Sequence, residues 1–555
     1  MADGSRAFNF PPPQSSRLRP GEIVIDLFAG GGGASEALKQ ALGTDPALAY
    51  NHDEWAIGMH AANHPLTIHH REDIWHADPR KDVAGRRVGW FHASPDCTHF
   101  SQAKGGQPRS RKTRALSWVV LKWAGQLRAA DARHGTQTQP RIISMENVWQ
   151  ILTWGPLVAK RDKATGRVIK MDGSVAAPGE RVPVENQQLV PDKRRAGRTW
   201  RQFVAALRGY GYEVEWRKLR ACDYGAGTSR ERPLLLARRD GEPIRWPEPT
   251  HGPGRASAYV PAAAAIDFSD LGRSIFDRPR PLADATLRRI ARGVVKHVLQ
   301  AAEPFFLTEF ANAGSGGRTW SAMDPLRTQC AQVKGGHFAV VAAHLTAMAQ
   351  NVVGNDLSEP LPTALAGATR FGLISAFLEQ ACGGYYDRAG QDLRNPAPTI
   401  CAKGSIQRLV SVELSPEQQT GAERVAAFLV NYYGNGTALD LRDPLDTVTT
   451  RDRMALVTVM VRGTPYVVTD IRLRMLRPDE LFRAQGFPPD YVIERTADGR
   501  RISNTHAVRM VGNSVSPPPL RALAEANLDA VRPTTREEGP VSARSRAGDG
   551  RALAA

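Results

Sequence analysis

Cys97 stands in the run Ser94-Pro95-Asp96-Cys97-Thr98-His99-Phe100-Ser101. Of the side chains here it is the one best suited to bond covalently with a substrate. The thiolate is the nucleophilic form of cysteine, and it needs partners that stabilise or generate it. Candidate partners occur further along. Glu146-Asn147-Val148 follows the apolar run Arg141 to Met145, and Arg230 and Arg232 stand two apart around Glu231. On an extended segment residues two apart point the same way. Two guanidiniums side by side suit a base carbonyl and a phosphate. Each residue also has a plainer reading: a small buried cysteine, a loop carboxylate, a surface ion pair with Glu231. A nucleophile, a carboxylate and an arginine pair make a site only if the fold gathers them.

The elements around them follow an α/β rhythm. Glu22 to Phe28 reads as a buried strand, Ala29 to Gly33 as a glycine-rich turn and Ala34 to Leu42 as a helix. Such a unit lets backbone approach a ligand at a helix N-terminus; by itself it fits NAD, FAD or S-adenosylmethionine, or only tight packing. Pro46 to Tyr50 predicts a second strand, after which Asn51 and Asp53 compete to hold ribose hydroxyls. Glu72-Asp73-Ile74 ends the next unit, where an acid can accept a hydrogen bond from an adenine amino group. Any of these acids taken singly is equally a helix cap or loop carboxylate. Val88 to Ala93 predicts the strand before Cys97, and Gly105-Gly106 a flexible loop after it. Cys97 and Glu146 are then placed past the carboxyl ends of strands, where open α/β sheets bind ligands. Trp118 to Arg128 and Trp200 to Leu207 read as helices, Tyr212 to Leu219 and Leu234 to Ala237 as strands.

Composition narrows the class. The 555 residues carry a formal charge of +17, which points to a polyanionic partner, nucleic acid first. The 5 cysteines include no C-x-x-C pair, which argues against a disulfide framework or structural zinc and for a reducing compartment. The sequence shows neither an apolar run of about 18 residues nor a signal-peptide core, so no membrane partner is expected. Arg109, Arg111, Lys112 and Arg114 form a basic segment able to close on a phosphate backbone. Residues 155 to 198 break the rhythm as a basic insertion suited to touching DNA, with a hairpin expected at the Asp172-Gly173 turn. Leu287 to Ala302 reads as a basic amphipathic helix. Beyond it four units repeat. Phe305-Phe306-Leu307, Ala343-His344-Leu345, Ala376-Phe377-Leu378 and Ala427-Phe428-Leu429 each precede a Pro-x-x-Thr mark, ending at Thr328, Thr363, Thr399 and Thr447. Short, turn-rich β units are expected there. Ile471 to Phe482 and Pro517 to Val531 read as helices.

Taken together, these motifs resemble the cytosine-C5 DNA methyltransferases of bacterial or phage type. Asp26 to Ser35 looks like their cofactor loop, Ser94 to Ser101 their catalytic loop, and Glu146-Asn147-Val148 their Glu-Asn-Val motif. Tyr224 to Arg232 is similar to their arginine segment. Arg477 to Pro488 and Gly512-Asn513-Ser514-Val515 look like their last two motifs. Asn51, Asp96, Thr98, Thr228 and Ser229 depart from the usual residues. The resemblance implies a Rossmann-like catalytic domain over 21–300 that resumes at 468–531. A mostly β target recognition domain is inserted over 301–467, between a disordered leader (1–20) and tail (532–555). It implies methyl transfer from S-adenosylmethionine to cytosine carbon 5 in duplex DNA, with base flipping and no metal. Cys97 is then the nucleophile and Glu146 the proton donor, while Asn147, Arg230 and Arg232 steady the loop and the base. Phe28, Gly30, Gly32, Gly33, Asn51, Asp53, Asp73, Ile74 and Asn513 hold the cofactor. Ser101, Arg109, Thr447, Arg451 and Arg453 touch DNA. A monomer in the cytoplasm of a bacterial or phage-infected cell, with a cognate restriction enzyme as candidate partner, completes the expectation. The rivals are a tRNA cytosine methyltransferase, a DNA-binding homologue without catalysis and, from the glycine turn alone, a dinucleotide oxidoreductase.

Overall fold

A computed structural model describes residues 14–100, 109–294 and 464–528, except 268 and 283, with strand, turn and helical segments between 305 and 461. Seven strands build the central sheet: β1 (Glu22–Leu27), β2 (Leu48–Asn51), β3 (Ile68–Arg71), β4 (Arg87–Ala93), β5 (Ile142–Glu146), β6 (Glu213–Arg220) and β7 (Glu231–Arg238). Their order is β3-β2-β1-β4-β5-β7-β6. Neighbours from β3 through β5 run parallel, and β7 is antiparallel to both β5 and β6. The inner strands β1, β4 and β5 are near-continuous apolar runs because helices cover both faces. The order reverses between β1 and β4, so the loops leaving these strands part there and open a crevice.

One face of the sheet packs on α3 (Val119–His134) and α4 (Arg198–Gly209) through Leu27, Phe91, Trp123 and Phe203. Each such fully buried side chain stabilises by about 1.5–3 kcal/mol. The other face packs on α1 (Gly33–Leu42) and α7 (Pro517–Ala526) through Val24, Leu38, Trp90, Leu520 and Leu523. Chain from beyond residue 500 therefore completes the first layer. A third cluster joins Met59 of α2 (Glu54–Asn63) to Phe482, Phe487, Tyr491 and Met510, which belong to or flank α5 (Pro478–Ala484) and α6 (Asn504–Asn513). Among the described residues no helix is long and apolar enough to cross a membrane.

A second sheet orders Arg273–Ser274, Thr464–Met475, Phe338–Ala347, Phe305–Glu309 and Thr319–Ser321, with Thr458–Val461 also on Thr464–Met475. A third orders Gln391–Asp392, Ser375–Cys382 and Ser405–Val412. The apolar starts of the first three repeats thus fall in strands; the fourth lies outside the described residues. Among the Pro-x-x-Thr marks only the first is described. There Leu326 is buried and accepts a 2.6 Å bond from the Ser229 amide, so the departures Thr228 and Ser229 form the docking edge for this repeat.

Three expectations need correction. Ile471 to Met475 is strand, not helix: Ile471 and Leu473 are buried while Arg472 is exposed, a period of two, and helix begins only at Pro478. The second sheet begins at Arg273, which pairs with Leu473, so a boundary at 300 cuts through it. The leader is ordered from Gln14 onward. The Gln14 amide donates to Asp45 at 2.9 Å, the Arg17 N–H donates to Leu42 O at 2.7 Å, and Leu18 is buried.

Candidate active site

The loops at the crevice enclose a cavity of about 610 Å³. Phe28, Gly30 and Gly31 line it from β1, Asn51 to Asp53 from β2, Glu72 to Ile74 from β3 and Ser94 to Thr98 from β4. Glu146 comes from β5, and Arg509, Met510 and Asn513 come from α6. Arg230 joins them because β7 runs backwards, which puts its amino end at the carboxyl edge of the parallel strands. Of the expected cofactor residues, seven line this cavity: Phe28, Gly30, Asn51, Asp53, Asp73, Ile74 and Asn513.

Gly32 and Gly33 do not line it. Gly32 precedes α1 at φ +97, and a Cβ there would stand 2.1 Å from the Tyr491 hydroxyl. A Cβ on Gly33 would stand 2.2 Å from the Val515 carbonyl oxygen. Both are glycine because the returning chain packs against the loop from behind. Phe28 takes φ +63, rare for a bulky residue. The turn is held by a 3.0 Å bond from the Ala29 N–H to Tyr50 O and a 3.3 Å bond from Ser94 Oγ to Phe28 O.

Cys97 sits half-buried in a loop tied at several points. The Asn147 amide donates to Pro95 O at 2.8 Å. Asp96, a departure from the usual motif, accepts the Thr98 N–H at 2.7 Å and so shapes the turn around the thiol. The Phe100 N–H donates to Cys97 O at 2.9 Å. Glu146, buried at the end of β5, has Oε1 3.3 Å from Arg232 Nε and 3.8 Å from Arg230 Nη2. Arg230 also donates to Gly512 O at 3.1 Å, which joins this corner to α6.

Burial raises the Glu146 carboxyl above the ordinary range despite the two guanidiniums. Burial, with the Glu146 charge, likewise raises the Cys97 thiol, and Arg232 and Arg230 only partly offset it. The two groups therefore compete over protons. A proton on Glu146 removes the charge that opposes the thiolate.

Asn51 and Asp53 both reach the cavity, but with prior commitments. Asp53 caps α2, accepting the Trp55 and Ala56 N–H groups at 3.0 Å each, and pairs with Arg509. Burial opposes its charge, yet the Ala56 N–H and Arg509 hold it below the ordinary carboxyl range. The Asn51 side-chain oxygen accepts the Asp53 N–H at 2.9 Å. Asp73 accepts the Trp75 N–H at 3.1 Å. The sequence reading passed over His52, Lys112, Thr113 and Arg509, all of which line the cavity. Of these, Lys112 alone had a signal, within the basic segment. Arg109 bridges rather than protrudes: its guanidinium donates to Thr98 O at 3.4 Å and its backbone N–H to Leu189 O at 2.8 Å. Ser101, Thr447, Arg451 and Arg453 lie outside the described residues.

Comparison with known proteins agrees with this geometry. The sequence model for C-5 cytosine-specific DNA methylase matches residues 23–155, 184–271 and 405–528, more than half of the chain. The type II methyltransferase M.AgeI of Thalassovita gelatinovora is 26% identical over 270 residues, 48% of this chain and 49% of its own length. M.AquIA of Picosynechococcus sp. is 24% identical over 242 residues, 43% of this chain and 80% of its own. M.DdeI of Desulfomicrobium norvegicum is 25% identical over 222 residues, 40% of this chain and 41% of its own. The chain thus spans about half the length of M.AgeI and less of M.DdeI. With the motif-bearing segments matched in order and gathered at one sheet edge, the chain belongs to the C-5 cytosine-specific DNA methylase family.

Proposed function

We propose that this protein transfers a methyl group from S-adenosylmethionine to carbon 5 of cytosine in duplex DNA. The observation that carries the reading is the meeting of Cys97, Glu146 and Arg230 at one wall of a cavity whose other walls suit a nucleoside, with Arg232 held 3.3 Å from Glu146.

The cavity fits the cofactor chemically. Its volume is that of a small-molecule site. Phe28 and Ile74 offer apolar surface to an adenine ring, and Glu72 or Asp73 an acceptor for its amino group. Asn51 and Asp53 offer acceptors for ribose hydroxyls, and the carboxylates as a set suit a sulfonium cation. Bound there, S-adenosylmethionine supplies an electrophilic methyl group.

The protein supplies the rest. Cytosine carbon 5 is too weak a nucleophile by itself. The Cys97 thiolate adds to carbon 6 while Glu146 gives a proton to ring nitrogen 3, which makes carbon 5 enamine-like. Arg230 and Arg232 hold Glu146 and the face of the base. After alkylation a base removes the carbon 5 proton, the electron pair expels the Cys97 thiolate, ring nitrogen 3 returns its proton to Glu146, and 5-methylcytosine is left. The base must leave the helix to reach Cys97, so the duplex is flipped open at the target. Residues of the 301–467 region, Thr447, Arg451 and Arg453 among them, are proposed to read the target sequence, with Ser101 and Arg109 contacting DNA beside the catalytic loop. That M.AgeI and M.AquIA are type II methyltransferases supports a cognate restriction enzyme as genetic partner. A monomer in the cytoplasm is the proposed working form.

The test is a duplex carrying 5-fluorocytosine at a target mapped by bisulfite sequencing of an expressing host. The wild type should be trapped as a covalent adduct, and Cys97→Ala should bind cofactor but form none. Methylation of tRNA in place of duplex DNA, or an adduct that survives Cys97→Ala, refutes the reading.

A further inference from the structure

Residues 156–183 lie outside the segments matched by the family sequence. They belong to a β arm that leaves the sheet just after Glu146. Leu157–Ala159 pairs with Leu189–Pro191, and Arg161 bridges to Val168, Ile169 to Val175 and Lys170 to Gln187. The expected turn is present: the Gly173 N–H donates to Lys170 O at 2.9 Å, with Gly173 at φ +90. A few apolar groups, Ala176, Val182 and Leu189, are buried in it.

Both roots of the arm are bonded to the segment that follows Cys97. The Arg114 guanidinium, itself buried, donates to His99 O at 3.3 Å and to Gly155 O at 3.2 Å, and covers the Phe100 ring at 4.5 Å. On the other root, Leu189 O accepts the Arg109 N–H at 2.8 Å, and the Arg109 side chain reaches Thr98 O. Both roots of the arm are therefore tied to residues within two positions of Cys97, and Thr98 among them lines the cavity.

Its outer surface is cationic. Residues 155–198 hold 10 Lys or Arg against 5 Asp or Glu. The acids are largely spent locally: Glu180 on Lys170, Asp192 on Arg195, Asp162 on Thr165 and Asp172 on Ser174. Arg161, Lys163, Arg181, Lys193, Arg194 and Arg198 are exposed and form no ion pair among the described residues. Exposed like charges held on a hairpin repel one another and add nothing to its stability, so a polyanion is the partner that this surface suits.

We propose that the arm is a phosphate-backbone contact for duplex DNA flanking the flipped base, carried in this chain in addition to the family's own recognition region. The inference rests on the DNA reading given above. Cations on phosphates give affinity without sequence preference, and each neutralised phosphate contributes about 0.9 to the slope of log K against log salt. The test compares wild type with a quadruple variant, Arg161→Ala, Lys163→Ala, Lys193→Ala and Arg194→Ala. A control loses Lys81 and Arg133, exposed cations outside the arm. Binding to a target duplex is measured from low to moderate salt. The arm variant should lose about 2 to 4 from the slope and bind at least tenfold more weakly at low salt. Its target site, cofactor affinity and melting temperature should stay at wild-type values, as should the slope of the control. A wild-type slope in the arm variant, or an equal drop in the control, overturns the proposal. Failure of the wild type itself to bind and methylate the duplex refutes the DNA reading instead.

Discussion

The side-chain amide of Asn147 donates to the carbonyl oxygen of Pro95 at 2.8 Å, joining the end of β5 to the loop that carries Cys97 two residues later. Adjacent parallel strands are held by backbone bonds, but the loops beyond them are not. Here one buried amide does that work. It sets the separation between the thiol and the carboxyl of Glu146, the preceding residue. Asn147 is thus a positioning residue.

Asn147→Ala should lower the single-turnover rate. Loss of a buried hydrogen bond costs about 1–3 kcal/mol, which is roughly 5- to 150-fold if it is felt in the transition state. Cofactor affinity, read by calorimetry, should hold, and the loss should appear in kcat more than in KM. A rate within twofold of wild type would show that the loop keeps its place without this amide.

Asp53 separates two contributions. Asp53→Ala removes an N-cap, which costs about 0.5–2 kcal/mol, and also the partner of Arg509 at the cavity. Asparagine caps helices as well as aspartate does, so Asp53→Asn should keep the melting temperature. Cofactor binding should weaken in both variants, because each loses the carboxylate charge and the second acceptor oxygen that Asp53 offers to ribose hydroxyls. Calorimetry that finds cofactor affinity unchanged in both assigns Asp53 to capping alone.

The architecture of the first domain was legible because buried parallel strands are apolar runs, and because Asp26 to Ser35 and Ser94 to Ser101 leave little freedom to their turns. Arg509 was illegible: it reaches the cavity from more than 450 residues beyond Asp53, on a helix in which only Gly512-Asn513 carried a motif. Ile471 to Met475 misled because it runs straight into the helix that starts at Pro478 and was read as one element with it; pairing with Phe338–Ala347 decides for strand. The split among the glycines could not be read from sequence either. Gly30 lines the cavity while Gly32 and Gly33 face Tyr491 and Val515, and that depends on where the returning chain lies.

Gly33→Ala tests that last point. The new methyl group would meet the Val515 carbonyl, part of the backbone, so the whole return segment must shift. Overpacking of this kind costs about 1–3 kcal/mol. The melting temperature should fall by several degrees and, since Asn513 lies just before Val515, cofactor binding should weaken too. A variant as stable as wild type would contradict the close approach.

The last prediction concerns the buried groups beneath the cofactor loop. Burial raises the Asp26 carboxyl to about 7, against the opposing hydrogen bond from Ser35. Ser35 Oγ lies 2.7 Å from Asp26 and 2.8 Å from His60 Nε2, and His60 Nδ1 lies 2.8 Å from His69 Nε2. With Asp26 ionised, Ser35 donates to it, so His60 must donate to Ser35 and accept from His69. With Asp26 protonated on the oxygen that faces Ser35, Asp26 donates to Ser35 and Ser35 can donate to His60. The row thus links a fully buried acid to the half-buried His69. Signs follow from proton uptake. Folded Asp26 holds its proton where the unfolded chain has lost it, so its contribution favours the folded state below about pH 4 and is lost as pH rises through about 7. Burial lowers His69 to about 4 and His92 to about 3, and His60 falls well below its ordinary value. Their contributions are lost as pH falls below the unfolded histidine value near 6.5. Three histidines oppose one acid, so the melting temperature should drop on acidification from pH 6.5 toward 5. Asp26→Asn keeps an acceptor for Ser35 and removes the titration. Its drop over the same range should be steeper than that of wild type, and the difference between the two proteins should move in favour of wild type as pH falls from 8 to 5. Parallel melting curves at every pH would place Asp26 at an ordinary carboxyl value and remove the proton row from the account.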